Sequence, residues 1–305
     1  MADWRDIHVD KLLSNISIQY QNEMFVGELI FPRLGVKQDS GKYTVYGQEQ
    51  FSTPETKVAD KTPTKQVEWS VTQASYECED YGLHDLVSDK MKRNVDNPVQ
   101  LRVQTTENIT KILKLAREKR VLDIVFSAST ITQTVALTGD DQWSAKTTSD
   151  PIDDIDTGKE TIKKAVGVNP NTLVLSEDVF NKLKNHPAFT EKIKYSMKGI
   201  LTAELIAEVV GVGKCLVAGA VYNTANEGQT VDKDWLYTKV ALLCFIAPTL
   251  GLNVMSLGAT ISSKLPVVSG WREPTKRSDA IEVIETTDEK LIAAACGYLI
   301  TGAIA

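Results

Sequence analysis

Apolar and polar side chains alternate along Lys65–Glu79, with Val67, Trp69 and Val71 on one face and Glu68, Ser70 and Thr72 on the other. A period of two is the mark of a half-buried strand. A Tyr- and Val-rich strand is predicted over Gly41–Phe51, and the polar Ser52–Thr64, with Pro54 and Pro63, joins the two into a long hairpin. A lone two-stranded hairpin is marginal in water. Trp69 therefore needs a surface, either on its own domain or on a neighbouring copy, and the pattern leaves both open.

Helical spacing marks two stretches of the first half. Leu12, Leu13, Ile16 and Tyr20 recur within Asp10–Tyr20, and Phe31-Pro32 ends this opening segment. Asp96 or Asn97 can cap a second helix, with Pro98 in its first turn, and the pattern runs to about Phe126. Ile109, Ile112, Leu113 and Ala116 follow i, i+3, i+4, i+7. Such a helix is about 40 Å long. Its one short apolar stripe predicts an element lying across a thin domain.

The second half mixes helices and strands without regular βαβ alternation. Strands are predicted at Thr130–Leu137, Asn171–Ser176, Lys214–Val221 and Val240–Ile246, and helices at Asp150–Val166, Glu177–Lys194 and Ala203–Val210. After Pro266 the chain turns β-rich, with Ala280–Glu285 and Leu291–Ile300 joined by a turn at Thr286–Glu289. The fold class expected is α+β.

Composition narrows the function. The 305 residues are 42% hydrophobic and 24% charged, an ordinary globular balance for about two domains. With 34 Lys and Arg against 40 Asp and Glu, the net charge is −6, which disfavours a bulk nucleic-acid binder. One basic island stands out: Lys90–Arg120 holds nine Lys or Arg and three acids, so it carries +6 and the rest −12. Such a face can turn toward phosphates. The preferred reading is a helix paired with acidic neighbours, within or between subunits.

Candidate chemistry is sparse. Cys78, Cys215, Cys244 and Cys296 are widely spaced and read as reduced, mostly buried thiols. His8, His84 and His186 form no metal-binding pair. The start, Met1-Ala2-Asp3-Trp4-Arg5-Asp6, is not a secretory signal, and the longest apolar runs fall short of the roughly 20 residues that cross a bilayer. A soluble intracellular protein is expected. Gly211-Val212-Gly213-Lys214-Cys215 is close to a phosphate loop but lacks its first Gly and its Ser/Thr, and reads better as a helix C-cap. The acids Asp150, Asp153, Asp154 and Asp156 lack the Gly and distal Glu of a calcium loop, and no GxSxG occurs. No catalytic residue, metal or cofactor is expected.

Four stretches together carry a family resemblance. Val9-Asp10-Lys11-Leu12-Leu13-Ser14-Asn15-Ile16, Ile30-Phe31-Pro32 and Ser40-Gly41-Lys42-Tyr43 come first, then Ala116-Arg117-Glu118-Lys119-Arg120-Val121-Leu122-Asp123. Asn171-Thr172-Leu173-Val174-Leu175-Ser176 with His186-Pro187 is third, and Gly199-Ile200-Leu201-Thr202 leading to Ala220–Gln229 is fourth. In this order and spacing the sequence resembles the major capsid proteins of tailed double-stranded DNA phages.

That resemblance implies an α+β shell subunit and a structural role, with no enzyme activity. Its parts would be an N-terminal arm at 1–32, an extended β-hairpin loop at 33–80 and a peripheral domain at 81–149 with a spine helix at 97–126. An axial domain at 150–262 and peripheral-domain strands at 263–305 would complete it. The hairpin and the helix would then be completed by other copies of the chain. Candidate interface residues are Tyr43, Tyr46, Val67, Trp69 and Val71 on the hairpin, and Lys111, Lys114 and Arg117 on the helix. Expected partners are other copies in hexamers and pentamers, a separate scaffolding protein, a portal, a decoration protein and DNA bound without sequence preference. No membrane is involved; the protein would assemble in the host cytoplasm and reside in the virion. An encapsulin-like compartment and a soluble α+β enzyme are the alternatives.

Overall fold

The structure, a computed structural model, describes residues 8–9, 25–46, 51–53, 55–64, 66, 68, 70–94, 98–194, 201–225, 228–230, 232–251 and 254–305. The predicted helix at 10–20, the candidate residues Val67 and Trp69, and the capping positions Asp96 and Asn97 lie outside them. So does the Tyr46 side chain.

Strand β1 (His8–Val9) precedes helix α1 (Gly27–Ile30) and strands β2 (Arg33–Gly35), β3 (Ser40–Tyr46), β4 (Val71–Glu77) and β5 (Glu79–Ser88). Helices α2 (Asp89–Asn94) and α3 (Pro98–Val125) follow, then β6 (Thr134–Ala136), α4 (Pro151–Val166), β7 (Thr172–Ser176), α5 (Glu177–Leu183), α6 (Pro187–Ile193) and α7 (Ala203–Val210). Strands β8 (Lys214–Ala218), β9 (Val221–Asn223), β10 (Lys233–Trp235), β11 (Val240–Cys244), β12 (Gly258–Glu273), β13 (Ser278–Leu291) and β14 (Gly297–Thr301) complete the chain.

Two five-stranded sheets organise these elements. The first is built on the long antiparallel pair β12–β13; β5 flanks β13, and β1 and β2 flank β12. The second runs β6-β14-β11-β7-β8 and is mixed, with β6 parallel to β14 and β8 parallel to β7. Its faces are both buried. Leu173, Leu175, Ala241, Leu243 and Ile300 meet apolar side chains of α4 to α7, while Val174, Leu242, Cys244 and Leu299 meet Val121, Leu122 and Val125 at the end of α3. Strands covered on both faces read as unbroken apolar runs, and that is why Asn171–Ser176 and Val240–Ile246 stand out in the sequence.

Helix ends follow their caps. The Asp150 carboxylate accepts the Ile152 and Asp153 N–H groups at 3.0 and 3.4 Å, and Gly167 closes α4 at φ 79°. Gly211 closes α7 at φ 74°, so Gly211–Cys215 is a helix C-cap leading into β8. The single helix expected over Glu177–Lys194 is two: His186 is extended (ψ 132°) before Pro187, which disfavours helical backbone in the residue preceding it and opens α6.

Two other expectations need correction. No turn interrupts Thr286–Glu289; these residues lie within β13, and the reversal sits at Pro274–Arg277, with Arg277 at φ 46°. The long β12 was not foreseen. It carries Pro266, tolerated because the register slips between Ser262, Lys264 and Val267, a bulge where a missing N–H leaves no ladder bond broken. Sheet membership runs across distant stretches of the sequence. Of the tail 263–305, β13 lies in the first sheet but β14 joins the second, as does β6 from within 81–149, while β12 enters the first sheet at 258, before 263.

His186 gives the second half a titratable cap. The Ser149 hydroxyl donates to the Ala145 carbonyl, so its oxygen accepts from His186 Nε2–H at 3.2 Å. Nδ1 is then free to accept the Ala188 N–H, also at 3.2 Å. Burial lowers the imidazole from its usual 6.5, opposed by Asp150 and aided by Lys146. The unfolded chain therefore takes up the proton first. The cap's contribution is present above pH 6.5 and is lost as pH falls below it. His186→Asn keeps a capping acceptor without titrating. Between about pH 7 and pH 5 the native melting temperature should fall more steeply than that of the variant; parallel curves would refute the account.

Candidate assembly surfaces

Helix α3 lies across the first sheet in register with β13. Residues 279, 281, 283, 285, 287 and 289 share one face of that strand: Asp279, Ile281, Val283, Glu285, Thr287 and Glu289. Opposite them the helix presents Arg102, Thr106, Ile109, Leu113, Arg117 and Arg120, spaced by three and four. Ile109 and Leu113 pack on Ile281 and Val283 in one cluster. Arg102 Nη2 is 3.9 Å from Asp279, Arg117 Nη1 is 3.0 Å from Glu285, and Arg120 meets Glu289 through two bonds of 2.9 and 3.0 Å. Arg120 also stacks 3.7 Å over the Tyr81 ring. The hydroxyls of Thr105, Thr106 and Thr110 donate to carbonyls four residues back, so they can face the sheet satisfied. A polar but paired seam thus replaces the continuous apolar stripe of an ordinary core helix.

The root of the amino-terminal segment is fixed at the far end of this seam. Val26, the N-cap of α1, offers no side-chain cap to its helix. Glu118 supplies one from α3: Oε1 accepts the Val26 N–H at 2.9 Å and Oε2 the Gly27 N–H at 2.7 Å. Its burial raises the carboxyl above its usual value, opposed by the two N–H donors and by Arg117. Arg117 also pairs with Glu28, and Arg33 lies 3.6 Å from Glu285. Ile30 and Phe31 are fully buried, and Gly258 gives Phe31 its space, because a Cβ there would stand 2.3 Å from the ring.

The hairpin β3–β4 is a separate two-stranded sheet, paired from Ser40↔Glu77 to Tyr46↔Val71. The Cys78 N–H donates to the Asp39 carbonyl at 2.7 Å and closes its base. Gly41, Tyr43 and Val45 share a half-covered face with Ala74 and Tyr76, and the Tyr76 ring lies where a side chain on Gly41 would be. Ties to the rest of the chain include the Glu77 N–H on Asp288 at 3.0 Å and Phe51 against Gly167.

The candidate residues divide accordingly. Burial, with Asp288 nearby, raises the Tyr43 phenol. Val71 is 53% exposed on the opposite face, beside the exposed Lys42, Thr44, Gln73 and Ser75, so Tyr43 and Val71 do not form one apolar surface. Tyr46 is placed by its backbone pairing alone. Lys111 is exposed, and Lys114 lines a cleft of about 190 Å³ with Glu28, Arg33, Leu113, Leu265 and Glu285. Arg117, only 5% exposed, pairs within its own chain. Sequence reading missed Glu28, Arg33, Glu118, Arg120, Glu285 and Glu289. At every second position from 279 to 289 the order is Asp, Ile, Val, Glu, Thr, Glu, and that period-two face, acidic at both ends of an apolar pair, was the signal that could have found the β13 half of this set.

Among the described residues no helix is long and apolar enough to cross a membrane, and no group of three side chains is placed to hold a metal.

Comparison with known proteins gives the assembly features a context. The family model "Phage major capsid protein E" matches residues 122–234, from the end of α3 through β10. The major capsid protein of Burkholderia phage BcepMu is 29% identical over 313 aligned positions, covering 96% of each chain. A phage-related protein from Bordetella bronchiseptica RB50 shares the fold with a TM-score of 0.79 at 24% identity, over 97% of each chain. A chain of the capsid structure of cyanophage P-SCSP1u does so with a TM-score of 0.61 at 8% identity, over 89% of this chain and 86% of the other. With one relative matched over 96% of both chains and a fold shared with a phage capsid structure, the chain is similar along nearly its whole length to phage major capsid proteins.

Proposed function

We propose that this chain is the shell subunit of an icosahedral phage head that encloses packaged double-stranded DNA. The observation that carries the reading is the end-to-end match to a phage major capsid protein. The hairpin supports it: two strands that pair with each other, with one face exposed and the other only half-covered. In this reading α3 and the first sheet form the peripheral part, and the second sheet with α4 to α7 the axial part. The hairpin, including Tyr43, Tyr46, Val67, Trp69 and Val71, docks on a neighbouring copy, and Lys111 and Lys114 face shell neighbours. Copies associate as hexamers and pentamers, with heterologous contacts that close into rings. A scaffolding protein, a portal and a decoration protein are the further partners, and assembly takes place in the host cytoplasm. The role is structural, and its mechanism is association. An encapsulin-like compartment is not favoured, because the sequence relatives are phage capsid proteins.

Purified full-length chain should form capsomers or megadalton shells in light scattering and negative-stain microscopy. A stable monomer at high concentration, with or without scaffold, overturns the proposal. Shells recovered from a phage-producing host should hold DNA; protein cargo in its place would select the compartment reading.

A further inference from the structure

Glu118 is 2% exposed, yet its two bonds run to backbone N–H groups and not to a cation. Buried carboxylates are ordinarily held by a positive partner. The adjacent Arg117 is turned to Glu28 and Glu285. The spine helix therefore grips the same short segment twice, by its backbone at Val26 and Gly27 and by its side chain at Glu28. That segment is the junction from which the amino-terminal residues lead in one direction, and β2 and the hairpin in the other. A two-oxygen grip fixes direction as well as distance, which one neutral hydrogen bond does not. Gly27 is shaped to it: a Cβ there would stand 2.6 Å from Glu118 Oε2.

We propose that Glu118 is a positioning residue for shell assembly: it caps α1 from the spine helix and so sets the direction in which the amino-terminal segment and the hairpin root leave the subunit toward other copies of this chain. The inference rests on the shell reading and adds to it the residue that aims the segment.

Two variants approach the grip from opposite sides in the full-length protein. Glu118→Gln keeps the size but replaces one accepting oxygen with an N–H₂ donor. Gly27→Ala raises helix propensity in α1 and disturbs the grip through its methyl group alone. Hydrogen exchange over 26–31, melting of the unassembled subunit and yield of closed shells are read well below the melting temperature. In both variants the 26–31 amides should exchange about tenfold faster while β7 and β11 keep their protection. Closed shells should fall at least several-fold, replaced by free capsomers or malformed particles. Normal shells in a variant whose 26–31 amides have lost protection would overturn the proposal, as would unchanged protection in both. If Glu118→Gln fails to fold, Gly27→Ala decides by the same criteria. Failure of the native protein to form shells would instead count against the shell reading, and unchanged native protection at 26–31 would keep the two failures apart.

Discussion

Joining Asp39 to Cys78 through Asn-Gly, with loss of residues 40–77, should give a folded subunit that no longer closes shells. The geometry of the base allows the change. The Cys78 N–H already donates to the Asp39 carbonyl, and a two-residue turn keeps that bond as its i to i+3 closure. None of the three apolar clusters among the described residues takes a side chain from the deleted stretch. The ties that go with the hairpin include the Glu77 N–H on Asp288 and Phe51 on Gly167. All lie outside the apolar core, so their removal should change subunit stability by no more than about 1 kcal/mol. Assembly should respond far more, because anchors docked in a partner dominate interface energy. Subunit melting and negative-stain microscopy, taken on the same preparation, separate the two effects. Normal shells from the shortened chain would remove the hairpin from assembly. A collapse in melting temperature would place it in the subunit's own core.

How much of this was legible in the sequence follows from what each element packs against. Strands β7 and β11 are covered by apolar side chains on both faces, so their composition alone announced them. Helices α4 and α7 were placed almost to the residue, because local chemistry ends them: Asp150 and Thr202 at the start, Gly167 and Gly211 in the left-handed region at the finish. Elements specified by long-range pairing were not visible. Strand β12 mixes serines, a proline and two glycines, and is a strand because β13 pairs along most of its length. The Thr286–Glu289 stretch looked like a turn for its polarity, but these residues are buried or half-buried against α3, β5 and the hairpin base. The charge seam was half legible. Its basic side was counted as an island at Lys90–Arg120. Its acidic side lies about 170 residues on, as in the pair Arg120 and Glu289, and no local pattern links the two.

Arg117→Met should lower the stability of the unassembled subunit by about 3 kcal/mol, roughly 6–10 °C in melting temperature for a chain of this size. The cause is the partner left behind. Glu285 is 4% exposed, and removing the guanidinium leaves its carboxylate with weaker contacts, Arg33 at 3.6 Å and Arg120 at 3.9 Å. Those residual cations hold the loss below the upper end expected for breaking a buried pair. Two comparisons test the cause. Lys164→Gln removes the exposed pair with Glu160, where both side chains are more than 70% exposed, and should cost no more than about 0.5 kcal/mol. Adding Glu285→Leu to Arg117→Met removes the stranded charge and fills its place with apolar volume. The double variant should then be more stable than the sum of the single losses predicts, by about 1–3 kcal/mol. Strict additivity in urea unfolding would mean that Arg117 acts through its packing against α1 and β13 and not through its charge on Glu285.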